Sequence, residues 1–166
     1  MLEQVGHDWV GAVLTDCGYL GCWCTHLSIL NMMITQVILD ELSALAKVSF
    51  RLRMNYDFRN SAEDGSQRML NAIEPGSPLP IHRHRATSET VVCLRGRLLE
   101  EYSREVQAQT AELVESIELS PDGPVVALNI SVGQWHTVRA LESGTVLIEM
   151  IDGPYEPLGP EDMLTL

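Results

Sequence analysis

Lysine is nearly missing from this 166-residue chain: Lys47 is the only one, and the other ten basic residues are Arg. Against these eleven stand 23 acidic residues, a formal net charge of −12. Phosphate backbones and anionic membrane surfaces need clustered positive charge, so both nucleic acid and membrane drop out as partners. No Lys or Arg occurs before position 47, so no positively charged n-region of a secretory signal is present. The longest apolar-looking stretch, 9–33, carries Asp16 and His26 and makes a poor membrane span. Only four Cys occur, and nothing in them requires an oxidising compartment. Together these absences point to a cytoplasmic protein. No internal repeat and no low-complexity tract is found.

What is present is enough for one domain. Hydrophobic residues make up 45% and charged residues 20%, the balance of a globular chain long enough to bury a core without disulfides. Residues 1–33 stand apart. They hold two of the three Trp and three of the four Cys, with no helical or alternating period. Cys17, Cys22, Cys24 and His26 suggest a metal site, but zinc sites pair one such group with a second, and the remaining Cys93 is isolated. The alternatives are an extension that docks through its apolar residues, or a start assigned too far upstream. The expected organisation is therefore 1–33 as an atypical extension and 34–166 as a single domain.

From Ile34 the pattern is orderly. Ile34, Val37, Ile38, Leu42, Leu45 and Ala46 recur at helical spacing, which predicts a short amphipathic helix ending near Val48. Phe50, Leu52, Met54, Tyr56 and Phe58 then alternate with Arg51, Arg53, Asn55, Asp57 and Arg59, the period of a half-buried strand. Eight further strands are expected, near 68–74, 79–84, 89–94, 98–103, 113–119, 125–130, 135–141 and 145–151, separated by Gly and Pro turns. One helix followed by many short strands indicates a mainly β fold, a sandwich or jelly roll. Glu100, Glu101, Glu105, Glu112, Glu115 and Glu118 cluster about the 107–110 turn and read as a solvated hairpin face.

The chemistry concentrates in three of the five His. His82 and His84 stand at i and i+2, the same face of a strand. Glu89 begins the next strand across a short turn, and His136 follows a Gly turn far along the chain. Three imidazoles and a carboxylate make a mixed nitrogen and oxygen site for a divalent transition metal such as Fe, Mn, Zn or Ni, with positions left for water or substrate. On loading, the His nitrogens and a Glu89 oxygen should lie roughly 2.0–2.3 Å from one ion. Either piece alone is weak, since exposed His pairs are common; the spacing of the set carries the reading.

That spacing resembles the cupin superfamily. Gly76, five residues, His82-Arg83-His84, four residues, Glu89, six residues and Gly96 fit the family's first motif throughout. Gly133-Gln134-Trp135-His136 keeps the core of the second motif, with Ser131 where Pro is usual and Ala140 where Asn is usual. Residues 34–157 resemble more closely the small WbuC-type cupin metalloproteins found with bacterial surface-polysaccharide genes. Arg51-Leu52-Arg53-Met54-Asn55, Gln67-Arg68, Pro80 to His84, Trp135-His136-Thr137, Glu149 and Gly153-Pro154-Tyr155 carry that likeness. Asp57-Phe58-Arg59 stands where that group commonly has Asn-Phe-His.

The resemblance implies a double-stranded β-helix barrel, a bound metal and a homodimer. It supplies a site rather than a reaction. The site reading is a metal held by His82, His84, Glu89 and His136 with a small-molecule ligand in the barrel mouth. Glu149 and Tyr155 are acid/base candidates, although a core-edge carboxylate and a packed Tyr are equally good accounts. Arg51 and Arg53, with Asn55, are candidates for binding an anionic group, because paired guanidinium groups overcome a field of −12 locally. The plainer account leaves that polar face in water. Cys93 shares Glu89's parity and reads as an inert buried thiol. The expected function is a metal-dependent enzyme, an isomerase, epimerase or dioxygenase, acting on a sugar-derived or anionic molecule in polysaccharide-related metabolism. The alternative is a non-catalytic binding or sensing module with a structural metal.

Overall fold

Thr35 starts the ordered pattern by capping a helix, α1 (Gln36–Val48), its hydroxyl accepting from the Ile38 N–H at 3.4 Å. The structure is a computed structural model and describes residues 33–107 and 110–164. The Cys17, Cys22, Cys24 and His26 group lies outside the described residues.

The buried stripe of α1 is Leu39, Leu42, Ser43 and Ala46, while Val37 and Leu45 are exposed. The helix is thus rotated from the face that counting apolar residues suggests. Ser43 tolerates burial because its hydroxyl donates to the Leu39 carbonyl at 2.7 Å. That stripe packs on Leu70, Ala72 and Val146, with Met54, Phe58, Leu94 and Ile148 around them.

Ten strands follow: β1 (Arg53–Asp57), β2 (Ser66–Ile73), β3 (Ile81–His82), β4 (Glu89–Arg95), β5 (Leu98–Gln107), β6 (Thr110–Leu119), β7 (Ala127–Ile130), β8 (Trp135–Ala140), β9 (Thr145–Asp152) and β10 (Met163–Leu164). They form two five-stranded sheets, ordered β1-β2-β9-β4-β7 and β10-β3-β8-β5-β6, with every pair antiparallel. This is a jelly roll. Ile73, Val91, Cys93, Leu98, Leu119, Ile130, Ala140 and Leu147, drawn from both sheets, form the core between them.

Register fixes which side chains face inward, since partners across an antiparallel pair share a face. In the first sheet Gln67, Ile151 and Glu89 form one inward row, Met69, Glu149 and Val91 the next, and Asn71, Leu147 and Cys93 the third. The opposite face, with Leu70, Ala72, Val146 and Ile148, is covered by α1. Both faces of β9 are therefore covered at Val146 and Leu147, which accounts for the apolar run from Val146 to Ile148.

Two expectations change. The strand expected over 50–58 begins only at Arg53, because Leu52 takes φ 54° as the chain turns out of the helix. The Leu52 N–H donates to the Ser49 carbonyl and its own carbonyl accepts from Glu74 N–H, both at 2.9 Å, so the turn is held at both ends. Phe50 is left almost fully exposed. The acidic hairpin is not uniformly solvated either. Glu100 is 1% exposed and Glu101 is buried, the latter ion-paired with Arg139.

Candidate metal centre

His82 on β3 lies directly opposite His136 on β8, and Tyr102 on β5 lies opposite His136 on the other side. These three therefore share one face of the second sheet. Glu89 opens β4 in the first sheet, so the cluster is contributed by both walls of the jelly roll. His84 lies just past the end of β3. Its carbonyl accepts from the Gly133 N–H at 2.7 Å, which ties the His82–His84 segment to the turn before His136. Gly133 has φ +76°, a conformation that side chains disfavour.

The ligating atoms of His82, His84, Glu89 and His136 all lie within 4.8 Å of one another. The Nε2 atoms of His84 and His136 each stand 3.2 Å from Glu89 Oε2. Those three atoms are buried without a hydrogen-bond partner. Buried polar atoms are almost always satisfied, and three such atoms aimed at one point are suited to a common partner. A divalent cation bound by imidazole and carboxylate is such a partner, and the four residues fit it.

Ring orientation supports the same reading. His136 Nδ1 lies 3.0 Å from the Gln134 carbonyl and His82 Nδ1 lies 3.3 Å from the Pro80 carbonyl. A proton on Nδ1 donated to each carbonyl leaves the Nε2 lone pair for the metal. Burial, then the neighbouring His136, lowers the His82 pKa to about 4. Burial opposes ionisation of Glu89, but His136 and His84 outweigh it and hold the carboxyl at about 2. At neutral pH His82 is a neutral imidazole and Glu89 a carboxylate, the forms that coordinate.

Further polar groups face the same interior. Glu149, one row along from Glu89, accepts from the Asn71 amide at 2.8 Å, and burial followed by the Glu89 charge raises its pKa. Glu100 lies two residues along β5 from Tyr102, on the same face, and neither of its oxygens has a partner. Burial, then Glu89 and Glu149, push it up to about 9. Burial and then Glu100 push the Tyr102 hydroxyl up to about 12. Glu100, Asn71 and Tyr102 are absent from the sequence-derived site. The parity of Leu98, Glu100 and Tyr102 was the available signal, obscured by the surrounding acids.

The other candidates are placed less centrally. Arg53 shares the inward face of its sheet, opposite Ile73, and Asn55 stands opposite Asn71. Arg53 Nη1 donates to the Pro78 carbonyl at 2.8 Å and to Ser77 Oγ at 3.3 Å. Burial and the Arg51 charge lower its pKa. Arg51 is exposed and precedes the strand. Tyr155 is 45% exposed, its ring centroid 5.6 Å from the Arg59 guanidinium carbon. Cys93 is buried in the core, and burial raises its thiol to about 11, the state of an unreactive Cys. A surface groove of about 360 Å³ is lined by Asp40, Lys47, Arg95 and Glu142. It lies at the opposite end of β4 from Glu89, and its Arg95 is already bound to Asp40 and Gln36.

A family model described as a domain of unknown function (DUF6016) matches residues 34–110. No curated protein matches the chain. Among solved structures, the capsular polysaccharide assembling protein CapF from Staphylococcus aureus is 21% identical with a TM-score of 0.54, over 70% of this chain and 30% of that one. This chain therefore spans about a third of the length of CapF. KdgF from Halomonas sp. is 16% identical with a TM-score of 0.48, over 65% of this chain and 85% of that one. The Cupin_2 domain of an XRE family transcriptional regulator from Enterobacter cloacae is 17% identical with a TM-score of 0.45, over 62% of this chain and 98% of that one. No helix among the described residues is long and apolar enough to cross a membrane. With two antiparallel sheets in this strand order and a His/Glu cluster where they meet, the chain has the cupin fold.

Proposed function

We propose that this chain is a metal-dependent enzyme whose ion is held by His82, His84, Glu89 and His136, acting on a small sugar-derived or anionic molecule in polysaccharide-related metabolism. The observation that carries the proposal is the convergence of three buried, unpartnered ligand atoms on one point. When bound, the metal supplies a Lewis acid that polarises an oxygen of the ligand.

The chain's own residues supply the rest. Glu149, steadied by the Asn71 amide, is the acid/base candidate beside the centre, since burial and Glu89 favour its protonated form. Arg53 and Asn55 continue the inward face at the β1 edge and would receive an anionic group, with Arg51 adding charge at the same edge. Tyr155 would line the approach. The likeness of residues 34–157 to small cupins associated with surface polysaccharide supports the sugar-derived substrate, as does the fold shared with the capsular polysaccharide assembling protein CapF. A homodimer in the cytoplasm is part of the same reading.

The test is elemental analysis of purified protein, followed by a thermal-shift screen with sugar nucleotides and sugar phosphates. About one transition-metal ion per chain and a ligand-dependent shift support the proposal. Protein that binds no transition metal refutes it. Metal with no turnover of any shifting ligand leaves a binding or sensing module with a structural metal instead.

A further inference from the structure

Among the described residues, one buried acid outside the metal cluster has no partner. Glu101 pairs with Arg139, Glu74 accepts from the Gly144 N–H at 2.9 Å, and Glu89 faces the three imidazoles. Glu100 is 1% exposed and both its oxygens lack a partner. Its flanking neighbours on the same face of β5 are Leu98, buried in the core, and Tyr102, opposite His136. Glu100 itself lies opposite Val138, two residues from His136 along β8 and on the same face. It therefore looks into the space that the metal cluster faces. It is not one of the cluster's four members.

A leucine would fill this place at no electrostatic cost. An unpartnered carboxyl in a core is retained against stability, which is typical of a group that meets a ligand. Burial, then the Glu89 carboxylate, favours its neutral form. A neutral carboxylic acid has one O–H to donate.

We propose that Glu100 contacts the molecule bound at the metal centre, donating a hydrogen bond to one of its oxygens. This rests on the metal reading above and narrows the ligand class. The ligand reaches the metal through oxygen and carries a second oxygen that accepts from Glu100, as a hydroxy acid, a keto acid or a vicinal diol does. Ligands that bind through nitrogen and offer no second acceptor gain nothing from Glu100.

The test uses the full chain loaded with the metal found by elemental analysis, with tropolone as a two-oxygen probe and imidazole as a nitrogen probe. Glu100→Leu and Glu100→Gln are compared with the parent. Both variants should retain metal. Glu100→Leu should weaken tropolone by about tenfold, the loss of one buried hydrogen bond, and leave imidazole unchanged. Glu100→Gln, whose amide still donates, should stay within about threefold of the parent. Glu100→Leu should also melt higher than the parent, because it removes an unpaired buried carboxyl.

Equal tropolone affinity in the parent and Glu100→Leu overturns the inference. So does loss of metal from either variant, which makes Glu100 a metal ligand, and so does a lowered melting temperature for Glu100→Leu. A parent that binds metal but not tropolone overturns this inference alone, whereas a parent that binds no metal overturns the metal reading as well.

Discussion

Replacing Gly96 by Ala isolates one close approach in the barrel wall. Gly96 sits in the turn from β4 to β5 with φ +76°. A methyl built there would stand 2.5 Å from Thr145 Oγ1 and 2.9 Å from Thr145 Cα. Thr145 is fully buried, and its hydroxyl lies 2.8 Å from the Glu142 carbonyl and 3.1 Å from the Arg97 carbonyl. Neither its side chain nor its backbone can retreat without breaking those contacts. Gly133 provides the control: its φ is also +76°, but nothing lies within 4 Å of an added methyl. The left-handed conformation costs a non-glycine residue roughly 1–2 kcal/mol at either position. Overpacking adds roughly 1–3 kcal/mol at Gly96 alone. Gly96→Ala should therefore lose about 3 kcal/mol, and Gly133→Ala about 1 kcal/mol. In thermal unfolding these become falls of about 10 °C and about 4 °C. Metal content of folded Gly96→Ala should be unchanged, because Gly96 lies beyond the far end of β4 from Glu89. Equal losses at the two positions would falsify the argument from close approach.

Three further outcomes follow from the site. His84→Ala removes one of the four converging ligands and should release most of the bound metal in elemental analysis, while a cooperative melt is retained because the apolar core is separate. Asp162 accepts from Arg83 at 3.1 Å and from Arg85, the two residues flanking His84, and β10 pairs with β3 at His82. Asp162→Asn should weaken metal binding about fivefold in a competition titration, an effect that shrinks in high salt, with little change in melting temperature. Arg53→Lys keeps charge but loses the planar guanidinium, of which Nη1 alone reaches Ser77 and Pro78, and should weaken an anionic ligand in a calorimetric titration without lowering metal content. Undiminished ligand affinity would remove Arg53 from the binding face.

Much of the fold was legible because its signals are local. The α1 pattern, the regular strand spacing and the Gly turns depend only on neighbours in sequence, and the strand cores appear where those signals lie. What failed was whatever depended on distant contacts. Leu52 alternates correctly with Met54, yet its left-handed turn is set by the exit from α1 and by Glu74 across the sheet. β10 is two residues long and has no period to read; it exists because Arg83 and Asp162 hold the chain end beside β3. Val37 and Leu45 looked like core, but α1 meets its sheet through a narrower stripe.

By itself, the sequence determined the His82, His84, Glu89 and His136 set, because a fixed spacing of ligand-bearing residue types is written along the chain. Only the tertiary structure decided which acids join that interior. Glu100 and Glu101 are adjacent and chemically identical, but strand parity sends one toward the cluster without a partner and the other to Arg139. Which face of β5 is inward depends on its pairing with β8, a contact between residues more than thirty positions apart. Composition and local period carry no trace of that pairing, because the register of two strands is set by the packing of both sheets together.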